Sequence, residues 1–184
     1  MEDLGRVQKL RELYIEPTSQ CNLQCTMCSR NHWKSELIGH MDLHLFDKVI
    51  AEIPESVTRI FFGGVGEPLT HPDIIYMLRR AKDTGRTVEM ITNGTLLDRD
   101  TSEKIVGANL DMLWISLDSV EEESYESIRS GADFGNIMEN IRVFNRKRSY
   151  SYEYPSTNTK VKLGIAFVLM KNNLTNLIQI QKPY

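Results

Sequence analysis

Along the chain, short runs of apolar and β-branched residues alternate with longer segments in which apolar positions recur at three-and-four spacing. This pattern reads as a strand followed by a helix, repeated about five times. Strands are predicted at 13–16, 59–62, 87–92, 112–117 and 161–169. The first helix opens at Asp42 as N-cap, carries Leu43, Phe46, Ile50 and Ile53 on one face, and stops before Pro54. The second is predicted to start at Thr70-His-Pro-Asp73, with the Thr70 hydroxyl as cap, and to end by Gly85. A third spans about 98–109, and a fourth starts at Ser119, where Glu122 is placed to complete a capping box, and runs to near Gly131. The fifth shows one apolar stripe, Phe134, Ile137, Ile141 and Phe144, with basic residues at 146–148 near its end. Residues 149–159 read as an exposed loop before the last strand, and a sixth helix begins near Asn173.

Strands separated by helices imply parallel pairing through right-handed crossovers. The expected fold is α/β, a partial (β/α) barrel of the TIM type with about five to six βα units, in one domain spanning 1–184. A full eight-stranded barrel takes about 250 residues, so five strands in 184 imply an open one. The sequence stops at Tyr184 inside the expected sixth helix, which suggests a barrel truncated on its C-terminal side.

Charge narrows the partners. The formal net charge is -3 and the basic residues are dispersed, unlike the cationic surface that nucleic acid requires. No apolar run approaches the roughly 20 residues of a membrane span, and residues 1–11 lack the apolar core of a secretory signal. A cytoplasmic protein that binds neither nucleic acid nor membrane is expected.

The three cysteines change the picture further, because all fall in Cys21-Asn-Leu-Gln-Cys25-Thr-Met-Cys28, directly after the first strand. An odd, clustered set is a poor disulfide framework and reads as metal ligands. Cubane iron–sulfur clusters are normally held by four thiolates. Three leave one iron without a protein ligand, open to a small molecule. The same stretch extended to His32 is a C-x3-C-x2-C-x3-H pattern that could hold structural zinc. The cysteines alone leave both readings open.

Three other segments fall at the carboxyl ends of predicted strands, where barrel enzymes assemble their sites. They are Gly63-Gly64-Val65-Gly66-Glu67-Pro68, Thr92-Asn93-Gly94 and Ser116-Leu117-Asp118. Each has a structural reading as well: the glycines as a tight turn, Glu67 as a surface acid, Asn93-Gly94 as a turn, Asp118 or Ser119 as a helix cap. The sequence carries no Ser-His-Asp set and no Gly-Lys-Ser phosphate loop. His32, His40, His44 and His71 fit no repeated ligand spacing beyond the zinc pattern, and Trp33 and Trp114 read as packing residues.

Taken in order, Cys21/Cys25/Cys28, Gly64 to Pro68, Thr92 to Gly94 and Ser116 to Asp118 resemble the motifs of the radical S-adenosylmethionine superfamily. The resemblance implies that the three cysteines ligate a [4Fe-4S] cluster and that S-adenosylmethionine chelates the fourth iron. Reductive cleavage would then give a 5′-deoxyadenosyl radical that abstracts hydrogen, in modification of a cofactor or peptide. It places Gly64, Gly66 and Glu67 in the segment that meets the methionyl amine, with Ser116 and Asp118 near the ribose and methionyl groups and Asn93 in the same pocket. Met27 stands where the family often has an aromatic residue near adenine, a gap that a flexible thioether can fill. A low-potential donor of the ferredoxin or flavodoxin type is implied as partner.

A narrower resemblance runs through Tyr14-Ile-Glu16-Pro-Thr18, residues 27–31, Leu96-Leu97 and residues 167–172. These stretches are similar to the maturases that modify the tungsten or molybdenum pterin cofactor of aldehyde oxidoreductases. Such proteins usually continue into a cysteine-rich region carrying auxiliary clusters, and this sequence has no cysteine after Cys28. The remaining expectations are a zinc-stabilised binding module, or an inactive relic of a radical enzyme.

Overall fold

A computed structural model describes residues 9–150 and 161–176. Five strands, β1 (Glu12–Ile15), β2 (Arg59–Phe62), β3 (Thr87–Thr92), β4 (Met112–Ser116) and β5 (Lys162–Ala166), alternate with α1 (Leu43–Ala51), α2 (Ile74–Asp83), α3 (Arg99–Gly107), α4 (Glu122–Ile128) and α5 (Phe134–Tyr150). The strands lie in sequence order β1-β2-β3-β4-β5 and every neighbouring pair is parallel. This is the expected α/β architecture, a partial (β/α) barrel. Registers such as Ile15↔Phe62, Phe62↔Met90, Thr92↔Ile115 and Ser116↔Ala166 bring the carboxyl ends of all five strands to one side.

Period-two alternation in the strands decides which face the helices cover. Ile15, Ile60, Phe62, Met90, Leu113 and Ile115 are buried in the main core with Phe46 of α1, Met77 and Leu78 of α2 and Phe144 of α5. Removing each such side chain from water contributes about 1.5–3 kcal/mol. Tyr14, Phe61 and Trp114 occupy intervening positions, and the rings of Tyr14 and Phe61 meet at 5.1 Å. Among the described residues no helix is long and apolar enough to cross a membrane.

The helix boundaries bear out the capping prediction at Asp42, add a cap at Asp98, and overturn two others. Asp42 caps α1 by accepting from the Leu45 amide at 3.1 Å, and Asp98 caps α3 by accepting from Thr101 at 2.8 Å. Thr70 does not start α2. It ends a short 3-10 turn (Pro68–Thr70), its hydroxyl donates to the Glu67 carbonyl at 2.8 Å, and Asp73 is the residue preceding the helix. The Ser119/Glu122 capping box is also absent. The buried Ser119 hydroxyl accepts from the Glu121 amide two residues on, a local bond that competes with capping, and α4 starts at Glu122. Strand β5 ends at Ala166, short of the predicted 169, because the Val168 amide turns away to the Asp118 carboxylate. Ser149 and Tyr150 belong to α5, while the rest of the predicted 149–159 loop lies outside the described residues. Residues 171–175 are turn, and the expected sixth helix beyond Asn176 lies outside the described residues as well.

Candidate functional site

All the polar loops converge on one cavity of about 350 Å³ at the carboxyl ends of the strands. Cys21, Cys25 and Cys28 line it together with Met27, Gly64, Gly66, Glu67, Asn93 and Ser116. Leu23, Ile91 and Val168 add apolar wall. Asp118 alone of the predicted residues does not border the cavity. Its side chain is fully buried.

The cysteine loop is tied to the end of α4, to itself and to the end of β3. The amides of Gln24 and Thr26 donate to the carbonyls of Ser130 and Ile128 at 3.0 and 2.9 Å, which ties the loop to the end of α4. The Asn31 side chain donates to the Cys25 carbonyl at 2.9 Å, and Arg30 donates to the Leu23 carbonyl at 2.6 Å. Asn93 reaches in from the end of β3. Its amide nitrogen donates to Asn22 Oδ1 at 3.0 Å and approaches Cys21 Sγ at 3.9 Å. Burial pushes the Cys21 and Cys25 thiols up, and Arg129 opposes this at Cys25.

The glycine-rich loop is pressed against the segment leading into Cys21. A side-chain carbon on Gly66 would sit 1.9 Å from the Thr18 carbonyl oxygen, so only glycine fits there. The Glu67 amide donates to the Gln20 carbonyl at 2.7 Å. Glu67 is not a surface acid. It is 2% exposed, and its carboxylate accepts from the Thr92 hydroxyl at 2.7 Å and from the Asn93 and Leu69 amides at 2.6 and 3.0 Å. Burial raises its pKa above the usual carboxylate range, with those three bonds opposing the shift. Its side chain therefore locks the end of β3 to the glycine loop, and the loop backbone is what borders the cavity.

Arg129 escaped the sequence reading because it follows the last residue of an exposed, acidic helix, where a cation looks solvated. In the fold it is buried, forms an ion pair with Asp118 at 2.7 Å, and donates to Cys25 Sγ at 3.9 Å. Asp118 also accepts from the Val168 amide at 2.7 Å, so the end of β4, the end of β5 and the cysteine loop are joined through one buried pair. Glu16 was likewise not singled out. Its carboxylate accepts from the amides of Val65 and Gly66 at 2.6 and 3.1 Å.

His32 is exposed at the end of a short 3-10 turn (Ser29–His32) and does not line the cavity. Among the described residues no three His, Cys, Asp or Glu side chains close round a point as one metal ion requires. The three thiols border a space instead of converging on a point. Three thiolate donors, a buried guanidinium beside one of them and a glycine loop with no room for side chains fit a multi-iron cluster with one open iron and a small-molecule ligand beside it.

Residues 15–154 match the family described as the Radical SAM superfamily. The tungsten-containing aldehyde ferredoxin oxidoreductase cofactor-modifying protein of Pyrococcus furiosus is 31% identical over 175 residues, covering 94% of this chain and 48% of that protein. The AdoMet-dependent heme synthase of Methanosarcina barkeri is 31% identical over 150 residues, covering 80% of this chain and 42% of that one. The chain thus spans about half the length of these curated relatives. SuiB of Streptococcus suis, in its crystal structure bound to S-adenosylmethionine, shares the fold with a TM-score of 0.68 at 17% identity, over 91% of this chain and 37% of its own. Its structure bound to the precursor peptide SuiA gives 0.66 over 91% and 36%. With its family motifs gathered on one cavity and most of its length matched, this chain belongs to the radical S-adenosylmethionine superfamily and is related to a cofactor-modifying member of it.

Proposed function

We propose that this chain forms the S-adenosylmethionine-cleaving core of a radical enzyme that modifies a cofactor or a peptide. The observation that carries the reading is the single cavity in which three thiols, the glycine loop and the ends of β3 and β4 meet. Cys21, Cys25 and Cys28 hold three irons of a [4Fe-4S] cluster, leaving the fourth for the methionyl amine and carboxylate. When bound, the reduced cluster supplies the electron that breaks the sulfonium C5′ bond, giving methionine and a 5′-deoxyadenosyl radical for hydrogen abstraction.

The chain's own residues position and shield that chemistry. The backbone of Gly64, Gly66 and Glu67 receives the amine, Ser116 and Asn93 contribute to the ribose and methionyl pocket, and Met27 lies against adenine. Asp118 serves by anchoring Arg129, not by touching the ligand. Leu23, Ile91 and Val168 exclude water from the wall of the cavity. Electrons come from a low-potential protein of the ferredoxin or flavodoxin type. Modification of a cofactor is supported by the likeness to the Pyrococcus furiosus protein, and of a peptide by the shared fold with SuiB.

The test is turnover. Anaerobically reconstituted protein with dithionite and S-adenosylmethionine should form 5′-deoxyadenosine and methionine in equal amounts, and Cys25→Ala should form neither. Protein that holds a cluster yet yields no 5′-deoxyadenosine would overturn the reading.

A further inference from the structure

We propose that Glu16 is the positioning residue of the glycine-rich loop: its carboxylate occupies the Val65 and Gly66 amides, so that the loop offers carbonyl oxygens to the ammonium end of S-adenosylmethionine. The inference rests on the function proposed above and adds a residue to it.

Glycine-rich loops commonly expose backbone N–H groups and so favour anions. Here the amides of Gly63, Val65, Gly66 and Glu67 are spent within the protein. Glu16 Oε1 accepts from Val65 at 2.6 Å and from Gly66 at 3.1 Å. The Gly63 amide donates to the Ile15 carbonyl at 3.0 Å, and the Glu67 amide donates to the Gln20 carbonyl at 2.7 Å. Among the described residues no donor reaches the carbonyls of Gly64, Val65 or Gly66. With three free carbonyls against one free amide, at Gly64, among the described residues, the loop presents mainly lone pairs, which accept from an ammonium group and disfavour a phosphate or carboxylate.

The carboxylate and the glycines are matched in shape. Gly64 has φ 156, and a side-chain carbon there would lie 2.5 Å from Glu16 Cδ, so a larger residue would push the carboxylate out. Glu16 sits one residue beyond β1 and is exposed, outside the lining of the cavity. It therefore acts through the loop it holds. Ordering the acceptors before the ligand arrives lowers the entropy lost on binding.

Wild type, Glu16→Ala and Glu16→Gln, each reconstituted anaerobically, separate this role from others. Three quantities are read: iron and sulfide per chain, the dissociation constant for S-adenosylmethionine, and hydrogen exchange of a peptide spanning 62–68 without ligand. In Glu16→Ala the cluster content should match wild type, exchange at Val65 and Gly66 should speed up, and the dissociation constant should rise about tenfold, roughly one lost preorganising interaction. Glu16→Gln keeps an oxygen that accepts the same two bonds and should restore both exchange and affinity to within about threefold, the allowance for a weaker neutral acceptor. Unchanged exchange or affinity in Glu16→Ala, loss of cluster in that variant, or a glutamine variant as weak as the alanine one would each overturn the proposal. Wild type that fails to take up cluster or ligand would instead refute the proposed function, so the two failures are distinct.

Discussion

The carboxylate of Asp118 and the guanidinium of Arg129 meet at 2.7 Å with 0% and 8% of their side chains exposed. Neither charge has bulk water to fall back on. Truncating one partner leaves the other buried and uncompensated, which typically costs about 3–5 kcal/mol. Arg129→Met should therefore lower the thermal midpoint by about 6–20 °C, at roughly 2–4 °C per kcal/mol for a chain of this size. A midpoint within about 2 °C of wild type in calorimetry would show that the pair does not hold the end of β4 to α4.

A different logic applies to Tyr125, which is fully buried against Phe134 with no hydrogen-bond partner for its hydroxyl among the described residues. Burial pushes its pKa from 10.0 up to about 12. An acid whose pKa is higher folded than unfolded contributes stability below the unfolded value and loses it as pH rises to the folded one. The window runs from 10.0 to about 12, and the loss across it approaches about 2–3 kcal/mol. Tyr125→Phe should be at least as stable as wild type at neutral pH, since a lone buried hydroxyl costs about 1–3 kcal/mol. It should also lack this alkaline loss. Parallel decline of both proteins above pH 10.0 in urea titrations would contradict the assignment.

Gly66 and Gly85 make a matched pair of tests. A side-chain carbon on Gly66 would stand 1.9 Å from a backbone oxygen, whereas one on Gly85 meets nothing within 4 Å and suffers only from φ 74. Gly85→Ala should cost about 1–2 kcal/mol, the strain of a left-handed residue. Gly66→Ala should cost at least about 2 kcal/mol because backbone must move, and S-adenosylmethionine binding should fall with it. Denaturant melts and binding isotherms on both variants check the order; equal penalties would mean that the loop is not clamped to Thr18.

Zinc and cluster readings part at His32. His32→Ala should leave bound iron unchanged, because the exposed imidazole does not border the cavity. Cys28→Ala should abolish cluster uptake, as loss of one of three thiolates does to an iron site. Retention of one zinc per wild-type chain, lost in His32→Ala, would reverse the choice.

The strands were legible because short runs such as Arg59–Phe62 and Thr87–Thr92 are rich in the β-branched and aromatic residues that fit a pleated sheet. Asp42 announced its helix because capping needs only residues three apart. Thr70 and Ser119 misled for the same reason. A cap can be read locally, but the competing partners, Gln20 and Glu67 for Thr70 and the Glu121 amide for Ser119, are set by how loops meet. At the site, the cysteines, glycines and Asn93 were visible as motifs at strand ends. The fate of Glu67, Asp118 and Arg129 was not, because their charges are satisfied mainly by residues from 11 to 104 positions away.

The central claim is that three thiolates hold a cluster whose open iron takes S-adenosylmethionine. Electron paramagnetic resonance of the dithionite-reduced, anaerobically reconstituted protein tests it most directly. The account predicts about four irons per chain, as one cubane requires, and a reduced-cluster spectrum whose g-values shift on adding S-adenosylmethionine. A cluster spectrum indifferent to S-adenosylmethionine, or a chain that takes up zinc and no iron, would contradict it.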